Sequence, residues 1–371
     1  MKIGITCYPT YGGSGVVATE LGIELAKRGH KVHFISYEQP FRLDQFHNNI
    51  YFHEVEMLEY PLFKYPPYSL SLSVKMAQII ESEKLDILHV HYAMPHAASA
   101  YLAKKIVGDG KIKIITTLHG TDITLVGNHR SFFSITKFSI EESDGVTCVS
   151  EYLKNTTIET FGIKRGLEVI YNFVDTEVYK RDEQRKNMDM IEPDDNVVIH
   201  ISNFRPVKRI GSIIKVFCNI SRKIKSKLLL VGDGPEMCMI RNMVSKLGLE
   251  SKVVFTGRQN NIIPLLNMSD LYMLPSTSES FGLSALEAMS CGVPVIGTSA
   301  GGLKEVVEHG VSGYICDPND IEGMSKAAIA VLGNKNNRAK MGMAARERAK
   351  KFDSRIIIEE YEDYYKKILN S

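Results

Sequence analysis

Short apolar runs alternate with helix-period segments along the chain, and this alternation occurs twice. In the first half the predicted strands are Ile3–Cys7, Lys31–Ser36, Ile87–His91, Ile112–Leu118 and Gly145–Val149. The helical patterns between them include Gly15–Arg28, Ser71–Glu83 and Pro95–Lys105. Strands that alternate with helices predict βαβ units, and therefore a parallel sheet covered on both faces.

The second series follows a polar segment, Arg181–Asn196, which we interpret as a linker. Its predicted strands are Val197–Ile201, Lys227–Val231, Val253–Thr256, Leu271–Leu274, Val293–Gly297 and Tyr314–Ile315. The 371 residues also exceed what one hydrophobic core usually organises. We therefore predict an α/β chain of two Rossmann-like, doubly wound domains facing across a cleft, with ligands at the carboxyl ends of the strands.

The domain bounds follow from the two series. The first domain is expected to cover residues 1–170. The amphipathic pattern of Ser354–Leu369 predicts a C-terminal helix, and likeness to similar folds implies that residues 354–371 return to complete the first domain. The second domain is expected to cover residues 171–353. An independent helix or an oligomer contact remains the alternative for Ser354–Leu369.

Composition narrows the functional classes. The net charge is only +2, which argues against a general nucleic-acid binder. No apolar run approaches the ~20 residues of a membrane span, and Met1–Tyr8 is too short for a signal peptide. The six scattered cysteines include no Cys-x-x-Cys, which favours free thiols in a reducing cytoplasm. We expect no stable membrane anchoring; a homo-oligomer remains open.

Glycines follow the first predicted strand, in Tyr8-Pro-Thr-Tyr-Gly-Gly-Ser-Gly15. Gly13, Ser14 and Gly15 would let a ligand approach the backbone at a helix start, where N–H groups favour an anion. The spacing matches neither a dinucleotide fingerprint nor a Walker loop. A tight strand–helix turn without a ligand explains the glycines equally well.

Histidines mark the ends of two other strands. His89, His91 and His96 surround one end, and His119-Gly-Thr-Asp122 follows another. A metal site lacks a supporting His-x-x-x-His motif, and single histidines are more often structural. His119 is the better candidate for polar contacts to a sugar, with Asp122 orienting it by a hydrogen bond.

Cations follow the first strand of the second series, in Asn203-Phe-Arg-Pro-Val-Lys-Arg209. Arg205 and Lys208 can neutralise a departing diphosphate, although a solvated basic loop is the simpler explanation. Gly232-Asp-Gly-Pro235 ends the next strand and is typical of a tight turn.

Two carboxylates lie eight positions apart in Glu279-Ser-Phe-Gly-Leu-Ser-Ala-Leu-Glu287. Along a continuous helix this is roughly 12 Å, beyond the roughly 5–9.5 Å between a glycosidase acid and base. We therefore interpret them as two contacts to one long ligand, with the N–H groups of Phe281, Gly282 and Leu283 between them. Ser284-x-x-Glu287 also matches a capping box, so Glu287 could simply cap the helix.

Asp-x-Asp does not occur in the sequence. A divalent ion held by such a pair between diphosphate oxygens is therefore not indicated, and we expect neither a metal nor a cofactor.

These motifs together resemble family 4 retaining glycosyltransferases of GT-B architecture. The resemblance rests on Glu279-x7-Glu287 with Ala288-Met-x-Cys-Gly-x-Pro-Val, Gly232-Asp-Gly-Pro, Phe255-Thr-Gly and Gly301-Gly-x-x-Glu-Val-Val. Within the family, the Cys7–Gly15, His89–His96 and Ile201–Arg209 segments are most similar to members that transfer N-acetylglucosamine from UDP-GlcNAc to L-malate. That reaction is the first step of bacillithiol biosynthesis.

The resemblance implies residue roles. The second domain would bind the nucleotide sugar: Glu287 the ribose, and Glu279 with the Phe281–Leu283 backbone the sugar. The Gly15 loop, Arg205 and Lys208 would surround the diphosphate, and His119 would contact the sugar near its 6-hydroxyl. Many members have an arginine where this chain has Asn203, so we expect Arg205 to supply that charge.

The first domain would bind the acceptor. Malate needs cationic or N–H partners, and the candidates are Arg130, Thr121, Tyr92, Ser14 and Tyr65. For Arg130, a surface position without function is the competing explanation. Three other functions remain open: a related transferase with a lipid or polysaccharide acceptor, a UDP-sugar epimerase, and a sugar-binding module without activity.

Overall fold

The computed structural model describes residues 1–10, 12–43, 45–57, 60–182 and 190–371. These residues form two compact units. The first unit comprises Met1–Asn172 and Arg355–Ser371, and the second comprises Phe173–Ser354. Each unit is built around a parallel sheet, as the alternation of strands and helices predicted.

Within the described residues, the sheet of the first unit has seven parallel strands in the order β3-β2-β1-β4-β5-β6-β7. They are β1 (Lys2–Thr6), β2 (Lys31–Ser36), β3 (Ile50–Glu54), β4 (Ile87–His91), β5 (Lys113–Leu118), β6 (Gly145–Cys148) and β7 (Glu168–Val169). The helices of this unit are α1 (Gly13–Lys27), α2 (Tyr68–Glu83), α3 (Ala98–Val107), α4 (Phe133–Glu142) and α5 (Glu151–Phe161). The strand order reverses between β1 and β4, so loops that follow these strands open apart at that point.

Within the described residues, the sheet of the second unit has six parallel strands in the order β10-β9-β8-β11-β12-β13. They are β8 (Asn196–Ile201), β9 (Ser226–Val231), β10 (Val253–Gly257), β11 (Leu271–Leu274), β12 (Val295–Thr298) and β13 (Gly313–Cys316). The helices are α6 (Ile210–Ser221), α7 (Met237–Lys246), α8 (Ile263–Met268), α9 (Leu283–Ser290), α10 (Leu303–Val306), α11 (Ile321–Leu332) and α12 (Lys335–Ala349). The order reverses between β8 and β11.

Both sheets are buried because their strands are apolar on both faces. In β8 and β9, for example, Val197, Val198, Leu228 and Leu230 are fully buried. Burying one such side chain contributes on the order of 1.5–3 kcal/mol. Strands of this kind are readable from sequence as continuous apolar runs.

Two strands of the first sheet were not predicted. The edge strand β3 has the sequence Ile-Tyr-Phe-His-Glu and is only partly buried, so it lacks the apolar run of a central strand. The strand β7 has only two residues. The predicted helix Pro95–Lys105 was also wrong in its bounds, because Ala93–Ala97 forms a separate irregular turn before α3.

The predicted linker needs correction. Residues 183–189 lie outside the described part of the chain, and the described remainder of Arg181–Asn196 belongs to the second unit. The second unit begins at Phe173, because the residues between Phe173 and the predicted linker are already bound to the second unit. The Ser290 hydroxyl donates to the Tyr179 carbonyl at 2.6 Å, and Val174 pairs with Asp353.

The C-terminal helix α13 (Ser354–Leu369) packs on the first unit. Tyr361 and Tyr365 are fully buried. The backbone N–H of Val146 in β6 donates to the Tyr364 hydroxyl at 2.9 Å. The apolar face of this helix is thereby covered by the unit's own sheet.

The described residues contain neither a candidate membrane span nor a disulfide. No helix in the described ranges combines the length and the apolar character needed to cross a bilayer. All six cysteines lie in the described part of the chain and are free thiols.

Candidate active site

Lys208 and Glu279 form an ion pair at the ends of neighbouring strands of the second unit. Lys208 closes the short turn Pro206–Lys208 after β8, and Glu279 lies in the loop between β11 and α9. Lys208 Nζ donates to Glu279 Oε2 at 2.7 Å, and the Ser276 hydroxyl donates to the same oxygen at 3.3 Å. Their side chains are 21% and 15% exposed, so both charges remain within reach of a ligand. The sequence predicted both residues but not their pairing.

The backbone at Glu279 is held by two glycines. Gly301 has a φ of +95°, and a Cβ there would lie 2.0 Å from the Glu279 carbonyl oxygen. The N–H of Gly302 donates to the same oxygen at 2.7 Å. Only glycine at position 301 allows this approach, which explains the paired glycines without a direct ligand role.

Helix α9 begins two residues earlier than a capping box at Ser284 would require. Gly282, at a φ of +100°, is its N-cap and makes no side-chain cap bond. Ser284 is instead inside the helix, where its hydroxyl accepts a hydrogen bond from Tyr272 at 2.7 Å. The capping-box interpretation of Glu287 was therefore wrong; this side chain lies in α9 and is 5% exposed.

The start of α9 offers main-chain donors. The first N–H groups of a helix have no intrahelical acceptor, and Gly282 supplies no side chain to replace one. Phe281 is buried against Phe352, with ring centroids 5.6 Å apart, so its backbone alone can face a ligand. The Phe281–Leu283 segment thus has the geometry of an anion or hydroxyl site.

Asn203 and Arg205 are both exposed in the loop after β8. Among the described residues, no side chain pairs with the Arg205 guanidinium. Gly232 has a φ of +121°, and a Cβ there would lie 1.9 Å from the Ser202 carbonyl oxygen. The tight-turn interpretation therefore accounts for Gly232, and its role in donor binding stays a prediction.

His119 lies at the end of β5 in the first unit, bonded to a histidine of the adjacent strand. Its Nε2 is 2.8 Å from Nδ1 of His91, which ends β4. Burial lowers the pKa of His119 to about 3, helped by the nearby His96. His119 is therefore neutral at neutral pH.

Asp122 does not orient the His119 ring, contrary to the sequence-based expectation. Its carboxylate accepts from the backbone N–H groups of His119, Gly120 and Ala93 at 3.2, 2.9 and 3.1 Å. Burial nevertheless raises the pKa of this carboxyl to about 6. Asp122 thus ties the loops after β4 and β5 together through main-chain atoms.

Ser14, Tyr92 and Thr121 meet beside His119. The Tyr92 hydroxyl donates to the Ser14 hydroxyl at 2.9 Å, and the Thr121 side chain lies close to the Tyr92 hydroxyl. The Tyr92 and His119 rings lie 5.4 Å apart. Tyr92 has a φ of +89°, which is unusual for an aromatic residue. Three predicted residues are therefore brought together at the first unit's strand ends.

Gly13, Ser14 and Gly15 form the first turn of α1, whose N-cap is Gly12. The first helical bond runs from Val16 N–H to Gly12, so the three preceding N–H groups have no intrahelical acceptor. A Cβ on Gly15 would lie 2.6 Å from the Tyr8 and Thr10 carbonyl oxygens. The tight turn explains Gly15, while the free helix start suits an anion.

Within the described residues, no hydrogen bond or ring contact joins Tyr65 or Arg130 to this cluster. Tyr65 is 76% exposed and lies next to Lys64. Arg130 is exposed, and in the described ranges no group is hydrogen-bonded to its guanidinium. Their assignment to an acceptor stays a prediction.

The other histidines have structural partners. His89 bonds the Tyr365 and Thr117 hydroxyls at 2.7 Å each. Nδ1 of His96 donates to the His91 carbonyl oxygen. In the part of the chain that the structure describes, no three His, Cys, Asp or Glu side chains are grouped to hold a metal.

Two family models and one full-length relative show the family to which the chain belongs. Residues 11–178 match the family described as Glycosyltransferase Family 4, and residues 181–348 match Glycosyl transferases group 1. The chain is 50% identical to N-acetyl-alpha-D-glucosaminyl L-malate synthase of Bacillus anthracis, over 100% of this chain and 97% of that protein. The chain belongs to glycosyltransferase family 4.

Other similar proteins have lower sequence identity. An uncharacterized glycosyltransferase of Methanocaldococcus jannaschii is 30% identical, over 93% of this chain and 92% of that protein. Among solved structures, Anabaena HepE in complex with UDP-glucose superposes with a TM-score of 0.84 at 22% identity, over 99% of this chain and 100% of that one. A sucrose-phosphate synthase from Thermosynechococcus elongatus gives 0.82 at 19% identity, over 100% and 99%. These structures share the GT-B fold with this glycosyltransferase.

Proposed function

We propose that this glycosyltransferase moves N-acetylglucosamine from UDP-GlcNAc to the hydroxyl of L-malate, with retention at the anomeric carbon, as the first step of bacillithiol biosynthesis. The observation that carries the proposal is the 50% identity, over the whole chain, to a relative named for forming an N-acetylglucosaminyl malate. The polar side chains at the strand ends of the second unit support the assignment of donor binding, and those of the first unit support the assignment of acceptor binding.

The second unit is the proposed donor-binding domain. Lys208 and Arg205 neutralise the diphosphate, Glu287 binds the ribose, and Glu279 binds the sugar together with the N–H groups of Phe281–Leu283. The support is the partly exposed Lys208–Glu279 pair and the uncapped start of α9. Asn203 and Gly232 complete the donor site, at the ends of β8 and β9.

The first unit is the proposed acceptor-binding domain. Ser14, Tyr92 and Thr121 supply hydroxyls, and Arg130 supplies a guanidinium for a malate carboxylate. Tyr65 is the outermost candidate. The helix start at Gly13–Gly15 adds N–H groups for an anionic ligand, and His119 contacts the donor sugar.

The proposed reaction takes place on one face of the sugar. The malate hydroxyl oxygen bonds to the anomeric carbon as the bond from that carbon to UDP breaks, and the hydroxyl proton passes to a donor phosphate oxygen. The protein contributes positioning and stabilises the charge of departing UDP. Lys208 and Arg205 do this without a metal ion in the proposed scheme.

Lipid acceptors are the competing class. A mannosyltransferase acting on phosphatidylinositol monomannoside in Mycolicibacterium smegmatis is 27% identical over 74% of this chain. The apolar face of α13 is buried in the first unit here and is not free to contact a bilayer.

We further propose a cytoplasmic location, which the six free thiols support.

The test is UDP release from UDP-GlcNAc, measured with L-malate, D-malate, a phosphatidylinositol glycolipid and no acceptor. We expect saturable release with L-malate only. Preferred release with the glycolipid would replace the malate assignment, and conversion of the donor sugar without any acceptor would indicate an epimerase.

A further inference from the structure

One hydrogen bond joins the rings of His91 and His119. His91 Nδ1 and His119 Nε2 are 2.8 Å apart, and the ring centroids are 5.1 Å apart with 25° between their planes. The contact arises because β4 and β5 are adjacent parallel strands, paired His91 to Thr117, so that His119 follows two residues later. His91 is fully buried and His119 is half-buried.

Neither ring is charged at neutral pH. Burial lowers the pKa of His91 well below its usual range, and the neighbouring His89, His119 and His96 add to the effect. Each ring therefore carries a single N–H. In each ring the nitrogen that carries this N–H donates a hydrogen bond, and the other nitrogen accepts one.

The surroundings of His91 select the direction. If His119 Nε2 donated, the proton of His91 would have to lie on its own Nε2. That atom is buried and has no hydrogen-bond partner among the described residues. Buried N–H groups are left without an acceptor less often than buried acceptors are left without a donor. His96 behaves in the same way: its Nδ1–H donates to the His91 carbonyl and its buried Nε2 has no partner.

We propose that His91 is a positioning residue, which donates from Nδ1 to Nε2 of His119 and so holds the His119 proton on Nδ1. In the described part of the chain, Nδ1 of His119 has no protein partner, so this N–H is available to a ligand oxygen. Given the proposed function, it donates to a hydroxyl of the transferred sugar.

This arrangement suits a sugar that develops positive charge as UDP departs. A protonated His119 would repel that charge, whereas a neutral ring can still donate one hydrogen bond. Burial keeps His119 neutral, and its hydrogen bond with His91 assigns its proton.

Nitrogen-15 NMR of histidine-labelled protein tests the hydrogen bond without any turnover. In the wild-type protein we expect His119 to be protonated at Nδ1, with Nε2 as the bare acceptor. In His91→Leu the proton of His119 should move toward Nε2, the tautomer that free neutral imidazole prefers. A wild-type His119 protonated at Nε2, or a distribution unchanged in His91→Leu, would overturn the proposal.

Kinetics with matched variants test the consequence. The amide nitrogen of Asn occupies the place of Nδ1, so His91→Asn should keep a rate close to wild type. His91→Leu lacks the donor and should lose about tenfold in kcat/KM for UDP-GlcNAc, the effect of one lost hydrogen bond. Equal losses in both variants would indicate a purely structural role and contradict the proposal.

A double-mutant cycle separates this inference from the proposed function. In a His119→Ala background, His91→Leu should cause no additional loss, whereas independent, additive losses would refute positioning. A wild-type rate in His119→Ala would remove His119 from the proposed sugar site. The NMR result would still decide which ring donates.

Discussion

Replacing Glu279 with glutamine is expected to tighten UDP binding while slowing sugar transfer. The Lys208 ammonium is paired with the Glu279 carboxylate at 2.7 Å. A diphosphate that is to be bound by Lys208 must compete with this carboxylate and is also repelled by it. Glu279→Gln removes both effects but deprives the sugar of its proposed carboxylate contact.

The magnitude follows from the geometry of the pair. At 2.7 Å and an effective dielectric constant of about 20, the direct attraction is roughly 6 kcal/mol. Desolvation and side-chain ordering offset most of it, since exposed pairs contribute about 0.2–1 kcal/mol and loss of one partner of a buried pair costs about 3–5 kcal/mol. For this partly buried pair we expect about 1–2 kcal/mol, or roughly 5- to 30-fold tighter UDP binding.

Titration calorimetry of UDP binding measures this difference. Glu322→Gln is the matched control, because it removes an exposed carboxylate 3.9 Å from Lys326 in α11 and changes the net charge equally. The double variant Lys208→Met with Glu279→Gln should lose the gain. If Glu279→Gln bound UDP no more tightly than the Glu322→Gln control, the competition argument would be refuted.

Four further predictions address charge, acceptor, backbone and pH. Alanine at Lys208 or at Arg205 should each slow turnover on the order of 10²–10³, as loss of a donor to a developing anion does; near-wild-type rates in both would contradict their role. Arg130→Ala should abolish saturation by malate while UDP binding stays intact, and an unchanged malate dependence would remove Arg130 from the acceptor site. Gly301→Ala should destabilise the protein by about 1–3 kcal/mol in urea unfolding, because its φ is +95° and a Cβ would lie 2.0 Å from the Glu279 carbonyl oxygen. Acid should destabilise the first unit: burial lowers the pKa values of His89, His96 and His119 to about 3, 4 and 3. The unfolded chain then binds more protons below pH 6.5, so stability is complete above that pH and falls toward pH 4, by about 1.4 kcal/mol per histidine at pH 5.5. A flat free energy of unfolding between pH 7 and 5 would contradict this.

The buried strands were predictable because a parallel sheet requires apolar side chains on both faces. The predicted Lys31–Ser36, Ile87–His91 and Leu271–Leu274 coincide with observed strands. The edge strand β3 was not predicted because Tyr, His and Glu occupy positions where a central strand would be apolar. Helix starts also shifted, since Gly12 and Gly282 begin helices without any capping side chain.

The pairings within the site depend on strand order, which periodicity does not reveal. Lys208 and Glu279 are 71 residues apart and meet because β8 lies beside β11. His91 and His119 are 28 residues apart and meet because β4 lies beside β5. The role of Asp122 was misjudged for a different reason, because short loops let a carboxylate reach main-chain N–H groups as easily as a ring.

The central claim is retaining transfer of N-acetylglucosamine to malate. Proton NMR of the product formed from UDP-GlcNAc and L-malate tests it most directly, because the anomeric coupling reports the configuration and the malate methine shift reports the linkage. The account predicts an α-linked N-acetylglucosaminyl malate, formed in equal amount to released UDP. A β-linked product, or UDP released with no glycosylated malate, would contradict it.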